Sequence, residues 1–222
     1  MTTTVPDYEQ AAIKATETLI KNRISFAPVD PLPILKSTKN VLVLSFAELA
    51  LKSGIDRKSV INTFSAEGQD ATTIVKQVNG KIRYLVAYNQ RLPYYLLQRA
   101  LARELGHIIL GHDGTRPEDV RTAEAICFAQ HFLCPRALIH AIEDAGILIT
   151  VEVVGNVTGC YERCLTRMRH SPGVQVPAEM NRKIREQFAD YVENYASMQS
   201  ILQSDDDSVL ADFGCYMEGY YE

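Results

Sequence analysis

"LARELGHIILGHDG", residues 101–114, decides how the rest of the chain is read. On a helix, this run sets Glu104 and His107 within one turn of each other. With histidine at 103 it would read His-Glu-Leu-Gly-His. That pattern offers one zinc ion two imidazoles and places a glutamate to take a proton from zinc-bound water. Position 103 instead holds an arginine. A guanidinium stays protonated and has no acceptor lone pair, so it cannot be a ligand, and it puts a positive charge beside the place of a dication. Glu104 and His107 keep their relation; the first ligand is gone.

A hydrolytic zinc site needs three protein ligands and an open position for water. Glu124, in "RTAEAICFAQHFLCP", is the candidate for the third. Taken alone it reads as a solvated helix carboxylate. Three residues are candidates to replace the missing ligand. His112 follows His107 by five positions, about 140° around a continuous helix, and reaches the site only where the helix breaks near Gly111. Cys127 and His131 share the Glu124 side of the next helix; the plainer readings are a small buried thiol and a histidine at a helix boundary. Without zinc, Glu104 and Glu124 are converging carboxylates whose repulsion has to be neutralised. Arg103 is therefore expected to pair with Glu124 and fill the vacated site.

Outward from this run, "PDYEQAAIKATETLIKNR" puts Tyr8, Ala11, Ala12, Ala15, Leu19 and Ile20 on one helical stripe, and "NVLVLSF" reads as a buried strand. "AELALKSGIDRKSVINTF" reads as two short helices around Gly54. "ATTIVKQV" and "KIRYLVAYN" flank Asn79-Gly80, the pair suited to a tight hairpin. Beyond the motif, Thr115 and Glu118 stand in capping-box spacing at the start of a helix, and "RALIHAIEDAG" gives another. "ILITVEVV" reads as a strand or a lead into the next helix, and "AEMNRKIREQFADYVENYASM" as a final amphipathic helix. The element order is α+β.

Composition narrows the function classes. The 222 residues suffice for a core without disulfides, and a net charge of -4 gives no global pull toward nucleic acid or anionic lipid. Five cysteines in no tight framework fit a reducing compartment. The start lacks a signal-peptide pattern, and no uninterrupted apolar run approaches the roughly 20 residues of a membrane span. The expectation is a cytoplasmic protein with no membrane partner.

The run "YLVAYNQRLPYYLLQRALARELGHIILGHDG", followed by "AEAICFAQHFLCPRALI", resembles the ImmA/IrrE family of metallo-endopeptidases. The matching pieces are Tyr88-Asn89 before the motif helix, then Glu104 and His107. Glu124-Ala125 with Phe128-Ala129, Leu133 and Pro135 follow, and Pro28 to Pro31 resemble the family's opening. The resemblance covers about residues 8 to 140. It implies a zincin-like fold over residues 1–150, with a helical extension over 151–203 and an acidic tail over 204–222. It also implies a zinc cofactor held by His107 and Glu124, with Glu104 as general base. The implied partner is a repressor-like DNA-binding protein, often in mobile-element or stress-response switches. Arg103 departs from the pattern at the first ligand. The leading expectation is a regulatory protein with an impaired zinc site that recognises such a partner and either cuts it poorly or merely binds it. The alternatives are an active zinc endopeptidase with a rearranged ligand set and a DNA-binding regulator.

Two further signals bear on nucleic acid. Ala50, Gly54 and Val60 are spaced as in a helix-turn-helix, with Arg57, Lys58 and Ser59 opening the second helix; the plain reading is two helices packed on the sheet. Cys160 and Cys164, with Arg163, Arg167, Arg169 and His170 nearby, read as a helix with a buried cysteine face and a basic outer face.

Overall fold

A computed structural model describes residues 5–65, 70–159 and 174–203. The cysteine pair at 160 and 164, its basic neighbours Arg163, Arg167, Arg169 and His170, and Cys215 lie outside these residues, as does the tail 204–222. The elements run α1 (Tyr8–Lys21), α2 (Pro31–Ser37), β1 (Val41–Ser45), α3 (Phe46–Ser53), α4 (Arg57–Ser65), β2 (Ala71–Val78) and β3 (Lys81–Tyr88). There follow α5 (Tyr94–Ile109), α6 (Glu118–Leu133), α7 (Arg136–Asp144), α8 (Val151–Thr158), α9 (Ala178–Gln187) and α10 (Ala189–Gln203). The architecture is mixed α+β.

The sheet has the order β1-β3-β2, with β1 parallel and β2 antiparallel to β3. Asn79 and Gly80 both take positive φ, 51° and 71°, as the tight hairpin between β2 and β3 requires. Alternation along β3 then divides the helices between the two sheet faces. Val86 enters the main core, with Tyr84 and Tyr88 packed against it. Ala87 faces a smaller cluster made by Phe46, Ala50 and Val60 of α3 and α4. Strand β1 stops where Ser45 turns into an N-cap, and Ser45 and Glu48 complete a capping box that starts α3.

The main core is helical. Leu19 of α1, Leu101 and Leu105 of α5, Phe128 and Phe132 of α6 and Leu138 of α7 are fully buried there. Val154, Ile184, Phe188 and Tyr195 carry the same core into α8, α9 and α10. Helix α5 lies very close to α6 at Gly106. A Cβ built there meets Phe128 Cβ at 3.1 Å and the Ala125 carbonyl at 3.2 Å. The stretch from Glu118 to Asp144 has the length and hydropathy of a membrane crossing, and 72% of its most apolar window is buried inside the protein.

Two local expectations are corrected and one alternative is decided. Of the two readings of "ILITVEVV", the lead into a helix holds and the strand does not: Thr150 caps Val153 N and opens α8. Thr115 does not box with Glu118, because its hydroxyl is bound to Asp113 and Pro117 is the cap residue of α6. The long C-terminal helix breaks at Phe188, whose own burial turns the chain so that Ile184 and Val192 both reach the core.

Candidate functional site

The site forms where the end of α5 meets the middle of α6. Its approach is set by Asn89, whose side chain accepts from Arg91 N and whose own N–H bonds the Asp70 carbonyl. That turn ends β3 and leads the chain into α5. Gly106 then lets α5 approach α6 closely, with His107 on the next residue and Glu124 just before the Ala125 carbonyl.

Helix α5 ends in a Schellman turn. Gly111 takes φ 69°, its N–H bonds the Ile108 carbonyl, and the His112 N–H returns to the His107 carbonyl. The turn folds residue 112 back over residue 107, where an apolar pair usually sits. Here two imidazoles meet, Nδ1 to Nδ1 at 2.8 Å. Residues 107 and 112 would have diverged on a continuous helix. The helix instead breaks at Gly111, and His112 reaches both His107 and Glu124.

Glu124 is 1% exposed and lies at the centre of the network. Its Oε1 accepts from the Asp7 backbone N–H at 2.8 Å and from an Arg116 guanidinium nitrogen at 2.8 Å. Its Oε2 accepts from the other Arg116 terminal nitrogen at 2.8 Å and faces His112 Nε2 at 3.0 Å. A carboxylate has about four lone-pair positions, and all of them are taken. Burial holds His107 down to about 3, helped by His112 and Arg103, and also lowers His112 against the opposing pull of Glu124. With neutral rings and a carboxylate acceptor the protons follow by elimination. His112 Nε2–H donates to Glu124, His107 Nδ1–H donates to His112 Nδ1, and Nε2 of His107 keeps a bare lone pair.

The expected pair between Arg103 and Glu124 is not formed. Arg103 Nε and Nη2 donate to Glu104 Oε1 at 3.1 and 3.0 Å, and Nη2 also donates to the Ala71 carbonyl of β2. The guanidinium is drawn to the carboxylate and strand beside it, and Arg116 takes Glu124. Thr73 of β2 donates to the second Glu104 oxygen at 2.7 Å. Burial pushes the Glu104 carboxyl above the ordinary range, opposed by Arg103 and Thr73. Two carboxylates, two guanidiniums and two neutral histidines leave the network with no net charge.

The remaining candidates lie elsewhere. Cys127 donates to the Tyr8 carbonyl, and burial pushes its thiol up to about 11. His131, one of the replacement ligands considered above, lines a separate cavity with Arg136 and His140. Arg57, Lys58 and Ser59 are exposed at the start of α4, with Ser59 N capped by Asp56. Sequence reasoning missed Arg116, Thr73 and the Asp7 N–H. The last two come from segments remote in the chain. Arg116 had only its place just before the Glu124 helix to mark it.

The residues present do not fit zinc. A guanidinium stands at the first ligand position, the Glu124 lone pairs are engaged, and His112 is wedged between the other two candidates. Among the described residues, no three His, Cys, Asp or Glu side chains are grouped to hold a metal ion. Residues 46–154 match the family described as IrrE N-terminal-like domain, a peptidase family. The match runs from the start of α3 through the middle of α8 and includes every side chain of the network, Asp7 contributing only its backbone. No curated protein and no solved structure matches the chain.

Proposed function

We propose that this chain, which belongs to the ImmA/IrrE family through its IrrE N-terminal-like domain, is a cytoplasmic regulatory protein that binds a protein partner without zinc-dependent cleavage. The observation that carries the reading is the double neutralisation of the site. Arg103 occupies Glu104, and Arg116 occupies Glu124. Glu104 would have to accept a proton from water to act as general base, and three donors already surround it. The zincin-like shell is kept and its chemistry is replaced by internal hydrogen bonds.

A binding role has a surface to use. Strand β2 is an edge of the sheet and lies next to α5, held to it by Arg103 and Thr73. An extended segment can add to such an edge by main-chain hydrogen bonds. Lys76, Lys81 and Arg83 are exposed on the hairpin, and no acidic residue lies between Ala71 and Arg103. A charged edge of this kind resists neutral strands, so the segment it accepts carries carboxylates. By family resemblance the partner is a repressor-like DNA-binding protein.

Metal content tests the reading, measured by elemental mass spectrometry on protein purified without chelator. The parent is expected to be metal-free. Arg103→His alone is expected to stay nearly so, because Arg116 still holds Glu124. Arg103→His combined with Arg116→Ala is expected to gain about one zinc per chain. Stoichiometric zinc in the parent would overturn the proposal and favour an active peptidase with a rearranged ligand set.

A further inference from the structure

Alternation along the β2–β3 hairpin sorts its side chains onto two unlike faces. The register places Leu42 and Ile74 on either side of Leu85, and Lys76 directly opposite Arg83. Lys81, Arg83 and Leu85 share the face of Ala87, the one that α3 and α4 cover. Those helices pack around Ala87 and leave the rest of the face open. Leu42 is 51% exposed and Ile74 43%, with Leu85 half-buried between them. Val75, Gln77, Ile82 and Tyr84 alternate onto the opposite face, which carries no charge along this stretch. All three hairpin cations therefore lie on the open face, in the rows that follow the aliphatic one.

Lys76, Lys81 and Arg83 form no ion pair with any described residue. Like charges directly opposite each other destabilise a ladder. The stretch from Ala71 to Arg103 holds six Lys and Arg and no Asp or Glu, in a chain whose acids outnumber its bases. A carboxylate from outside would relieve this repulsion.

The kind of occupant follows from the same residues. A second copy seated on this face would set the cations against themselves. No aromatic ring stands in the aliphatic row, so single-stranded nucleic acid has no stacking platform there. Strands repeat across the row about every 4.8 Å, close to the helical pitch of about 5.4 Å. A helix laid across the strands can set successive turns on Leu42, Leu85 and Ile74, with acidic residues on one flank over Arg83 and Lys76. It would also extend the layer begun by α3 and α4.

We propose that this open half of the sheet face docks an acidic amphipathic helix of a protein partner. The inference rests on the binding role proposed above and names a second surface for it. The β2 edge offers main-chain groups, and this face offers side chains.

The test is fluorescence anisotropy of a labelled synthetic peptide, three repeats of Glu-Glu-Leu-Ala-Glu-Leu-Leu, titrated with the full chain at constant ionic strength. Saturable binding is expected, and none for the peptide with lysine in place of every glutamate. Lys76→Glu combined with Arg83→Glu is expected to raise the Kd about tenfold or more, because two attractions become repulsions. Ile74→Ser is expected to raise it about fivefold through lost apolar contact. Val75→Ser, the neighbouring change on the opposite face, is expected to leave it unchanged. The site would be overturned by the absence of saturable binding, by an unchanged Kd in the charge-reversed variant, or by equal effects of the two serine changes. Tighter binding to phosphatidylserine vesicles or to duplex DNA than to the peptide would overturn it too. Metal content is read separately on the same protein, so failure of this site leaves the reading of the motif network standing.

Discussion

The motif network and the cavity at the start of α7 place their charged pairs at different depths. In the network, both buried carboxylates are matched by a guanidinium, and further donors fill what remains. Among the described residues, only Arg116 Nε is left there as a buried atom without a partner. At the cavity the ion pairs stand at the exposed rim instead, Arg185 with Asp144 and His140 with Glu143. The difference is one of burial. In the motif network water cannot screen the charges, and losing one partner is costly; at the rim it can, and the pairs contribute little.

The comparison can be broken most forcefully at Arg116. Arg116→Met strips the fork from a nearly inaccessible Glu124, and urea unfolding is expected to show a loss of about 3 kcal/mol, the cost of an unpaired buried charge. Adding Glu124→Gln removes that charge while keeping an acceptor for the Asp7 N–H; its amide donates to His112 Nε2 once both imidazoles exchange tautomers, and at least about half the loss should return. A double variant no more stable than the single would show that Arg116 stabilises by packing instead. Arg103→Ala comes next, with an expected loss of about 1 kcal/mol in the same unfolding experiment. Its side chain is 33% exposed, so water screens and replaces part of what is removed. Unchanged stability would take Arg103 out of the network's energetics.

The smallest effect sharpens the contrast from the cavity side. Burial, with Arg136 nearby, holds His131 down to about 4 from the ordinary 6.5. Its neutral folded form is stabilising above the unfolded pKa, and that contribution is lost as pH falls from about 6.5 toward 4. The melting temperature should therefore drop across that window, and His131→Gln should make the drop shallower. A parallel pair of pH profiles would show that His131 is not held neutral by its surroundings.

The features legible in the sequence were those set by local chemistry. Asn79-Gly80 specified the hairpin, the alanine stripe specified α1, and the motif run specified α5 up to its glycine. The misses have a common cause. Thr150 opening α8, Phe188 splitting the last helix and Arg116 reaching Glu124 all depend on what the fold brings opposite them. His112 lies between the two classes. Gly111 was visible as a helix terminator, and a Schellman turn at that glycine is enough to bring residue 112 over residue 107. The pairing of Arg103 was misassigned because helical spacing gives no rank between a carboxylate next door and one on another helix.

The bond from the Asp7 N–H to Glu124 joins positions 117 residues apart, and Gln187 donates to the Leu19 carbonyl from 168 residues away. Helix α1 leaves the ribosome before the helices that clasp it. Its apolar face, with Ala11, Ala15 and Leu19 fully buried in the finished protein, must wait uncovered until α6 and then α9 have been made. Contacts of such sequence separation slow folding. They also leave α1 adhesive on the nascent chain until those helices emerge.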